Sequence, residues 1–314
     1  MVMFSTPGQL EYVHDNVTER GANGSRAGGE DGNFFLYHWQ EILILVISLL
    51  GLVGNCTVVW LLGFRIRRTP FSIYILNLAG ADALFLCFTI LEFIDEFHRY
   101  LSGGSTFRIM LSLESTFYIA GLSFLAAIST ERCLIVLFPL WCRGHRPKHL
   151  SAVVCSGIWV QAGLVRVILN LRLCDEVVLN IRAAYFFLLT CIMCVSSLTF
   201  LVKIQCCSQV RQPPRLYLLV LLTVLVFLLF GLPPEILSFL AFRFCIPFVP
   251  YWIHPFLACI NSSVNPLIYF FLGRQRHARR EPLRVVLQRA LREKQEMEGG
   301  MRDTPRTDSH EMLL

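Results

Sequence analysis

The chain has 314 residues, of which 55% are hydrophobic and only 16% are charged, and its mean hydropathy is +0.57. A soluble protein carries about 25% charged residues, so this composition excludes an ordinary soluble domain and indicates a polytopic membrane protein. The formal net charge is +6, but the basic residues alternate between connections and do not form the single patch typical of nucleic-acid-binding proteins.

Residues 1–37 are polar and rich in glycine, and we expect them to form an extracellular tail. This segment contains two sequons, at Asn16 and Asn23, where we expect N-glycosylation. Its first residues lack the basic start and apolar core of a cleavable signal peptide. We therefore expect the first apolar segment to serve as a signal anchor.

Seven long apolar segments follow within residues 38–273, each near or above the length that a helix needs to cross a bilayer. They are Trp39 to Phe64, Phe71 to Leu91, Ile109 to Phe138, Leu150 to Leu169, Val177 to Val202, Leu216 to Phe242 and Phe248 to Leu272. The connections are short and contain no soluble domain. The sequence thus predicts an all-α membrane protein, a seven-transmembrane helix bundle.

The lysine and arginine residues predict the orientation of this bundle. Most of them lie in the connections after the first, third and fifth segments and in the C-terminal tail. By the positive-inside rule these regions are cytoplasmic and the N-terminus is outside. We expect a multi-pass protein of the plasma membrane, and the net charge is mostly a consequence of this topology.

The cytoplasmic end has two parts. Residues 274–296 include HARREPLRVVLQRALREK, in which apolar residues recur at helical spacing against arginine and lysine. This pattern predicts a short amphipathic eighth helix on the inner leaflet of the bilayer. Residues 297–314 are polar and unpatterned, and we expect a disordered tail.

The twelve cysteines lie mostly within apolar segments or on the cytoplasmic side, where they stay reduced. Only Cys174 and Cys245 are expected outside, and whether they form a disulfide is left open because connectivity does not follow from sequence. His145 and His149 are spaced like metal ligands but lack a third ligand. We expect neither a metal nor a cofactor.

Four polar residues lie in the middle of apolar segments: Asn55, Asp82, Asn261 and Asn265. They can make separate hydrogen bonds between helices, or they can gather around Asp82. We favour one cluster, because a lone carboxylate at this depth requires partners.

Six short motifs occur in order along the chain. They are Gly54-Asn55, Leu78-Ala79-Gly80-Ala81-Asp82, Glu131-Arg132-Cys133, Trp159, Phe230-Gly231-Leu232-Pro233 and Asn265-Pro266-Leu267-Ile268-Tyr269. In these motifs the chain resembles rhodopsin-like G-protein-coupled receptors over nearly the whole membrane part. Longer segments of the chain resemble sequences of the Mas-related receptors of sensory neurons and immune cells. Examples are RRTPFSIYILNLAGAD, GLSFLAAISTERCL and NSSVNPLIYFFLG.

The resemblance implies a receptor that binds an extracellular ligand and activates a heterotrimeric G protein, Gq by preference with Gi as the alternative. Arrestin and receptor kinases are further implied partners. Arg132 resembles the arginine that Glu131 holds and that is released to meet the Gα subunit. Asn265, Pro266 and Tyr269 resemble the segment that rearranges with it, and Asp82 with Asn265 resembles the buried polar centre.

The chain departs from the family pattern at several positions. Cys133 replaces the usual tyrosine, and Gly231 stands where most rhodopsin-like receptors have a tryptophan. The segment Pro213-Pro214-Arg215 offers no acid to hold Arg132, which suggests signalling without ligand. Gly121 supplies no hydroxyl to a sodium ion. The second extracellular loop has Cys174 but no second cysteine for the bridge expected in Mas-related receptors.

Acidic residues predominate in the outer halves of the segments, including Glu92, Asp95, Glu114 and Glu235. They either pair internally with arginines such as Arg166 and Arg182 or present carboxylates to a cation. We favour a cationic peptide or small amine as ligand, although the arginines leave room for a carboxylated one. By resemblance, Glu114 occupies an amine-anchoring position, and Asn170 replaces the acid of Mas-related receptors that holds basic peptides.

Two other classes of membrane protein would show different sequence features. A transporter or channel would show internal repeats, broken helices or rings of charge, and the sequence has none of these. A membrane enzyme would carry a catalytic set at membrane depth, and no Ser-His-Asp or histidine-rich set occurs there. The sequence therefore favours a receptor.

Overall fold

The computed structural model describes residues 30–66, 69–98, 105–138, 142, 145–147, 149–170, 175–206, 221–244, 250, 252–273, 283–285 and 287. The seven long helices are α1 Glu30–Trp60, α2 Pro70–His98, α3 Ser105–Leu137, α4 Leu150–Asn170, α5 Asp175–Cys206, α6 from residue 221 to Arg243, and α7 Ile253–Gly273. A π-helical turn, Leu61–Arg65, continues α1, and another, Phe227–Gly231, lies within α6 before its last part, Leu232–Arg243. The predicted helix bundle is confirmed.

The helices α1 to α6 are long and apolar enough to cross a bilayer. α7 has the same length as α4, 21 residues, but carries a group of polar side chains. These are buried against the other helices and not exposed to lipid: Asn261, Ser262 and Asn265. The first six predicted segments overlap the six observed spans, the first being predicted as Trp39 to Phe64 and observed as Trp39–Arg65. The seventh predicted segment, Phe248 to Leu272, overlaps α7, which is not among those spans.

The chain divides into two units, Met1–Trp39 and Gln40–Leu314. The described residues of the first unit, 30–39, are helical. The predicted glycosylation sites Asn16 and Asn23, and the cysteines Cys174 and Cys245, lie outside the described residues, so those expectations remain predictions. The second unit holds the helix bundle.

Helix α3 forms the centre of the bundle and packs against α2, α4 and α5. About half of the residues in the apolar parts of α2 and α3 are buried, whereas only about a fifth are buried in those of α1 and α4. The exposed side chains there are large and apolar, such as Leu50, Val53, Val160 and Leu164. Such surfaces are stable against lipid chains, which identifies the outer face of the bundle.

Hydrogen bonds between side chains join neighbouring helices inside this apolar core. The Trp159 indole Nε1 donates to Asn77 Oδ1 at 3.0 Å, which ties α4 to α2. The hydroxyls of Ser123 and Tyr185 lie 2.6 Å apart and tie α3 to α5. Gly51 allows α1 to approach α7, because a Cβ atom there would lie 2.0 Å from Ser263 Oγ.

The predicted eighth helix is described at only a few positions. Residues 283–285 and 287 are helical. Leu287 is fully buried within the hydrophobic core, whereas Leu283 is half-exposed. The rest of residues 274–296 lies outside the described part, so the full extent of this helix stays a prediction.

Candidate functional site

A polar layer crosses the middle of the bundle. Asn265 Nδ2 donates to Asp82 Oδ2 at 2.8 Å, and both residues are buried. Asn55 Nδ2 donates instead to the backbone oxygens of Ser262, at 3.1 Å, and Gly51, at 3.0 Å. The structure therefore brings Asn265 to Asp82, while Asn55 joins α1 to α7 through the backbone.

Two glycines shape this layer. A Cβ atom at Gly121 would lie 3.1 Å from Asp82 Oδ1, so the glycine allows the carboxylate to approach α3. A Cβ atom at Gly231 would lie 2.9 Å from the Phe227 ring and 3.5 Å from Asn261 Oδ1. The buried Phe227 ring thus fills the space over Gly231, and the Asn261 side-chain oxygen lies close to α6.

Near the C-terminal end of α3, Arg132 and Glu131 have separate partners. The Arg132 guanidinium lies 3.7 Å from the centre of the Phe71 ring, and Glu131 forms an ion pair with Arg146. Arg146 also donates to Ser151 Oγ at 2.8 Å. Glu131 still lies within electrostatic range of Arg132, but its ion pair among the described residues is with Arg146. The expectation that Glu131 holds Arg132 therefore stays a prediction.

The inner part of α7 lies beside this arginine. Pro266 interrupts the regular hydrogen bonding of the helix, and Tyr269, three residues later, is buried. Tyr269 lies within electrostatic range of both Arg132 and Asp82. Tyr269 therefore lies between the polar layer and Arg132.

In the first turn of the last part of α6, Glu235 is fully engaged by basic partners. Arg182 donates to both carboxylate oxygens, Nε to Oε2 and Nη2 to Oε1, each at 2.8 Å. His254 Nε2 lies 3.0 Å from Oε1, and the Glu235 side chain is 7% exposed. For Glu235 the internal ion pair is therefore the correct alternative, and it is not a free anchor for ligand.

A cavity of about 380 Å³ opens between α1, α2, α3 and α7. Each of the first three helices contributes one glutamate to its wall, namely Glu41, Glu92 and Glu114. Thr89 Oγ1 donates to Glu114 Oε1 at 2.9 Å, and Glu92 also contacts the Glu114 carboxyl group. The remaining lining residues are Ile44, Phe85, Thr89, Phe93, Ser115, Tyr118, Trp252, His254, Pro255 and Ala258.

Sequence reasoning selected Glu92 and Glu114 but missed Glu41, which lies at the outer end of the first apolar segment. It also missed Tyr118, whose position four residues after Glu114 places it on the same helix face. Arg166 Nη2 donates to Ser112 Oγ at 3.2 Å and is not among the lining residues. The side chains of Asp95 and Asn170 lie outside the described part.

A metal is not needed to explain this arrangement. Within the described ranges, no three His, Cys, Asp or Glu side chains come together in a way that could hold a metal ion. The glutamates are distributed over three walls of the cavity, which suits a larger ligand.

The family model for the 7 transmembrane receptor (rhodopsin family) matches residues 54–269. The chain is 45% identical over 287 residues to Mas-related G-protein coupled receptor member X2 of Rhinopithecus bieti, covering 82% of this chain and 84% of that protein. It is 44% identical over 290 residues to member X1 of Homo sapiens, covering 82% and 85%. It is 41% identical over 288 residues to member D of Macaca fascicularis, covering 86% and 89%.

The helix bundle and the match to the rhodopsin-family model identify the chain as a rhodopsin-family receptor. The relatives narrow the class, and the chain belongs to the Mas-related G-protein-coupled receptors. The predicted resemblance is confirmed, and the chain is assigned to a receptor family and not to a family of transporters, channels or enzymes.

The Glu235 ion pair yields a prediction about stability. Glu235→Gln leaves the Arg182 guanidinium without its carboxylate, and we expect a loss on the order of 1–3 kcal/mol. The matched control is Glu176→Gln, which breaks an exposed pair with Arg243 at 3.4 Å and should cost less than about 1 kcal/mol. Thermal unfolding of the two purified receptors measures the difference, and equal melting temperatures would contradict the assignment.

Proposed function

We propose that this receptor lies in the plasma membrane with its N-terminus outside, binds a cationic peptide or small amine, and then activates a heterotrimeric G protein. The observation that carries the proposal is the cavity between α1, α2, α3 and α7. Its wall contains three glutamates, and none of the described lining residues is a lysine or an arginine. A cleft lined by charges of one sign between low-dielectric walls attracts ions of the opposite sign.

The aromatic lining supports the same ligand class. Phe85, Phe93 and Trp252 surround the glutamates. Aromatic faces attract cations, and their apolar surface accommodates the hydrocarbon part of an amine. The ligand site proposed here therefore combines ionic and apolar contacts.

The cavity volume limits how much of the ligand is enclosed. About 380 Å³ lies in the range of small-molecule sites. We propose that a small amine enters whole, whereas a peptide inserts one basic side chain and leaves the rest of its length outside the cavity. Neither Arg166 nor Arg182 is among the lining residues, although Arg182 contacts the lining residue His254. Because Arg182 is already paired with Glu235, we propose a cation and not a carboxylated ligand.

On the cytoplasmic side we propose that Arg132, Asn265, Pro266 and Tyr269 form the switch that the G protein contacts. Arg132 and Tyr269 lie within electrostatic range of each other, and both are buried, so contact with a partner requires their rearrangement. We propose Gq as the partner, with Gi as the alternative, and arrestin and receptor kinases as partners of the active receptor.

Ligand potency tests the proposed cation site. We expect Glu114→Gln to reduce the potency of a cationic agonist about 10- to 100-fold, because it removes a carboxylate from a water-poor site. Glu176→Gln, which removes an exposed carboxylate elsewhere, should leave potency unchanged. A screen of basic peptides and amines with a second-messenger readout, at matched surface expression, provides the measurement. Equal potency on wild type and Glu114→Gln would refute the anchor.

Signalling without ligand is a second expectation. Within the described ranges no carboxylate forms an ion pair with Arg132, since Glu131 is engaged by Arg146. The Phe71 ring is a weaker restraint than a carboxylate, so we expect inositol phosphate or cyclic AMP to change with receptor amount in the absence of ligand. Arg132→Ala should abolish the change at equal surface expression. Second-messenger levels equal to those of mock-transfected cells at every expression level would rule this out.

A further inference from the structure

Tyr118 of α3 has a buried hydroxyl group that takes part in none of the hydrogen bonds described above. Its side chain is 7% exposed, and none of the residues that the structure describes forms a hydrogen bond with its Oη atom. Buried hydroxyl groups in proteins nearly always have a hydrogen-bond partner, and leaving one unpaired is unfavourable. Tyr118 is also part of the wall of the glutamate-lined cavity, but its Oη atom is itself buried, so a ligand supplies the missing partner by reaching past the surface of that wall.

Packing holds the phenol ring in place. Its centre lies 5.2 Å from that of Phe85 and 6.4 Å from that of Phe186, and the His254 ring meets it edge-on at 6.2 Å. Rings from α2, α5 and α7 therefore contact it on several sides. The position of the hydroxyl group is consequently fixed before any ligand enters.

The spacing along α3 relates this hydroxyl group to the proposed cation site. Glu114 and Tyr118 are four residues apart, so they lie on one face of the helix with Cβ atoms about 5–6 Å apart. The Glu114 carboxylate is held by the hydrogen bond from Thr89. A carboxyl group and an unpaired hydroxyl group are thus presented together, one helical turn apart, by the same wall.

From this pairing we propose that the cavity is a site for an amino alcohol, an amine with a hydroxyl group a few bonds from its nitrogen. The ammonium group binds Glu114 beside Glu92, and the ligand hydroxyl forms a hydrogen bond with Tyr118. This inference rests on the proposed cation-binding function and adds to it the second polar group of the ligand. Tyr118 is then a specificity-determining residue.

The charge of the cavity decides which polar group the ligand carries. Arg182 lies within electrostatic range of Tyr118, but it is already paired with Glu235. The three glutamates of the wall therefore disfavour a carboxylate at Tyr118, and the second group is neutral. A hydroxyl group can both donate to and accept from the phenol, and therefore fits either orientation of the Tyr118 hydroxyl hydrogen. The aromatic side chains Phe93 and Trp252 provide a surface for an attached ring.

Two amines that differ in one hydroxyl group test the proposal. Phenylethanolamine has an ammonium group, a hydroxyl group on the neighbouring carbon and a phenyl ring, and phenethylamine lacks only the hydroxyl. Binding of each to the purified full-length receptor is measured by the shift in its thermal unfolding as the amine concentration is raised. We expect phenylethanolamine to bind roughly tenfold more tightly to the wild type, as for one well-formed hydrogen bond.

Two variants test which residues cause the preference for phenylethanolamine. Tyr118→Phe keeps the packed ring and should bind both amines equally, with the affinity for phenethylamine unchanged. Glu114→Gln should weaken both amines by the same factor. Three outcomes would overturn the proposal. The wild type binds the two amines equally, Tyr118→Phe keeps the preference for phenylethanolamine, or neither amine binds. If the amino-alcohol proposal fails but Glu114→Gln still reduces the potency of basic peptides, the proposed cation-binding function is retained and only the role of Tyr118 is rejected.

Discussion

An ionisable group inside a bilayer must have a partner, and this constraint organises the receptor. Asp82 takes a hydrogen bond from Asn265, Glu235 takes two from Arg182, and Glu131 pairs with Arg146. Each contact joins two parts of the chain that are distant in sequence: α2 with α7, α6 with α5, and α3 with the segment before α4. Because apolar side chains gain little by leaving lipid for one another, such polar contacts and close packing determine how the helices assemble.

The same constraint separates the charges of the outer half into two regions. On one side Arg182, Glu235 and His254 satisfy each other. On the other side three glutamates share a cavity without a lysine or arginine among its described lining residues. The first region is a structural contact and the second is the proposed ligand site, so burial and partners distinguish acids that the sequence alone presents as equivalent.

His254 links the two regions. It belongs to the cavity wall, contacts the Tyr118 ring, and bonds the Glu235 carboxylate. The same Nε2 atom lies 2.9 Å from Arg182 Nη2, so the tautomer of the imidazole decides whether it accepts from Arg182 or donates to Glu235. The proposed ligand site is therefore in direct contact with the residues that hold α5, α6 and α7 together.

Hydropathy and the positions of basic residues were enough to predict the helices, because a bilayer imposes both the length and the apolar character of each span. The partners of individual side chains could not be predicted in the same way. The family resemblance implied that Glu131 holds Arg132, and the ion pair of Glu131 with Arg146 could not be predicted from it. Glu41 and Tyr118 were missed because their significance depends on which helices surround the cavity.

The central claim is that the glutamate-lined cavity selects cations, and a cysteine placed in its wall tests it without a known ligand. In Ser115→Cys, the reaction rates of aminoethyl methanethiosulfonate and sulfonatoethyl methanethiosulfonate are compared, each corrected for its rate with a free thiol and with the parent receptor. We expect the cationic reagent to react at least about tenfold faster, and Glu114→Gln to reduce that ratio. Equal corrected rates for the two reagents would contradict the claim.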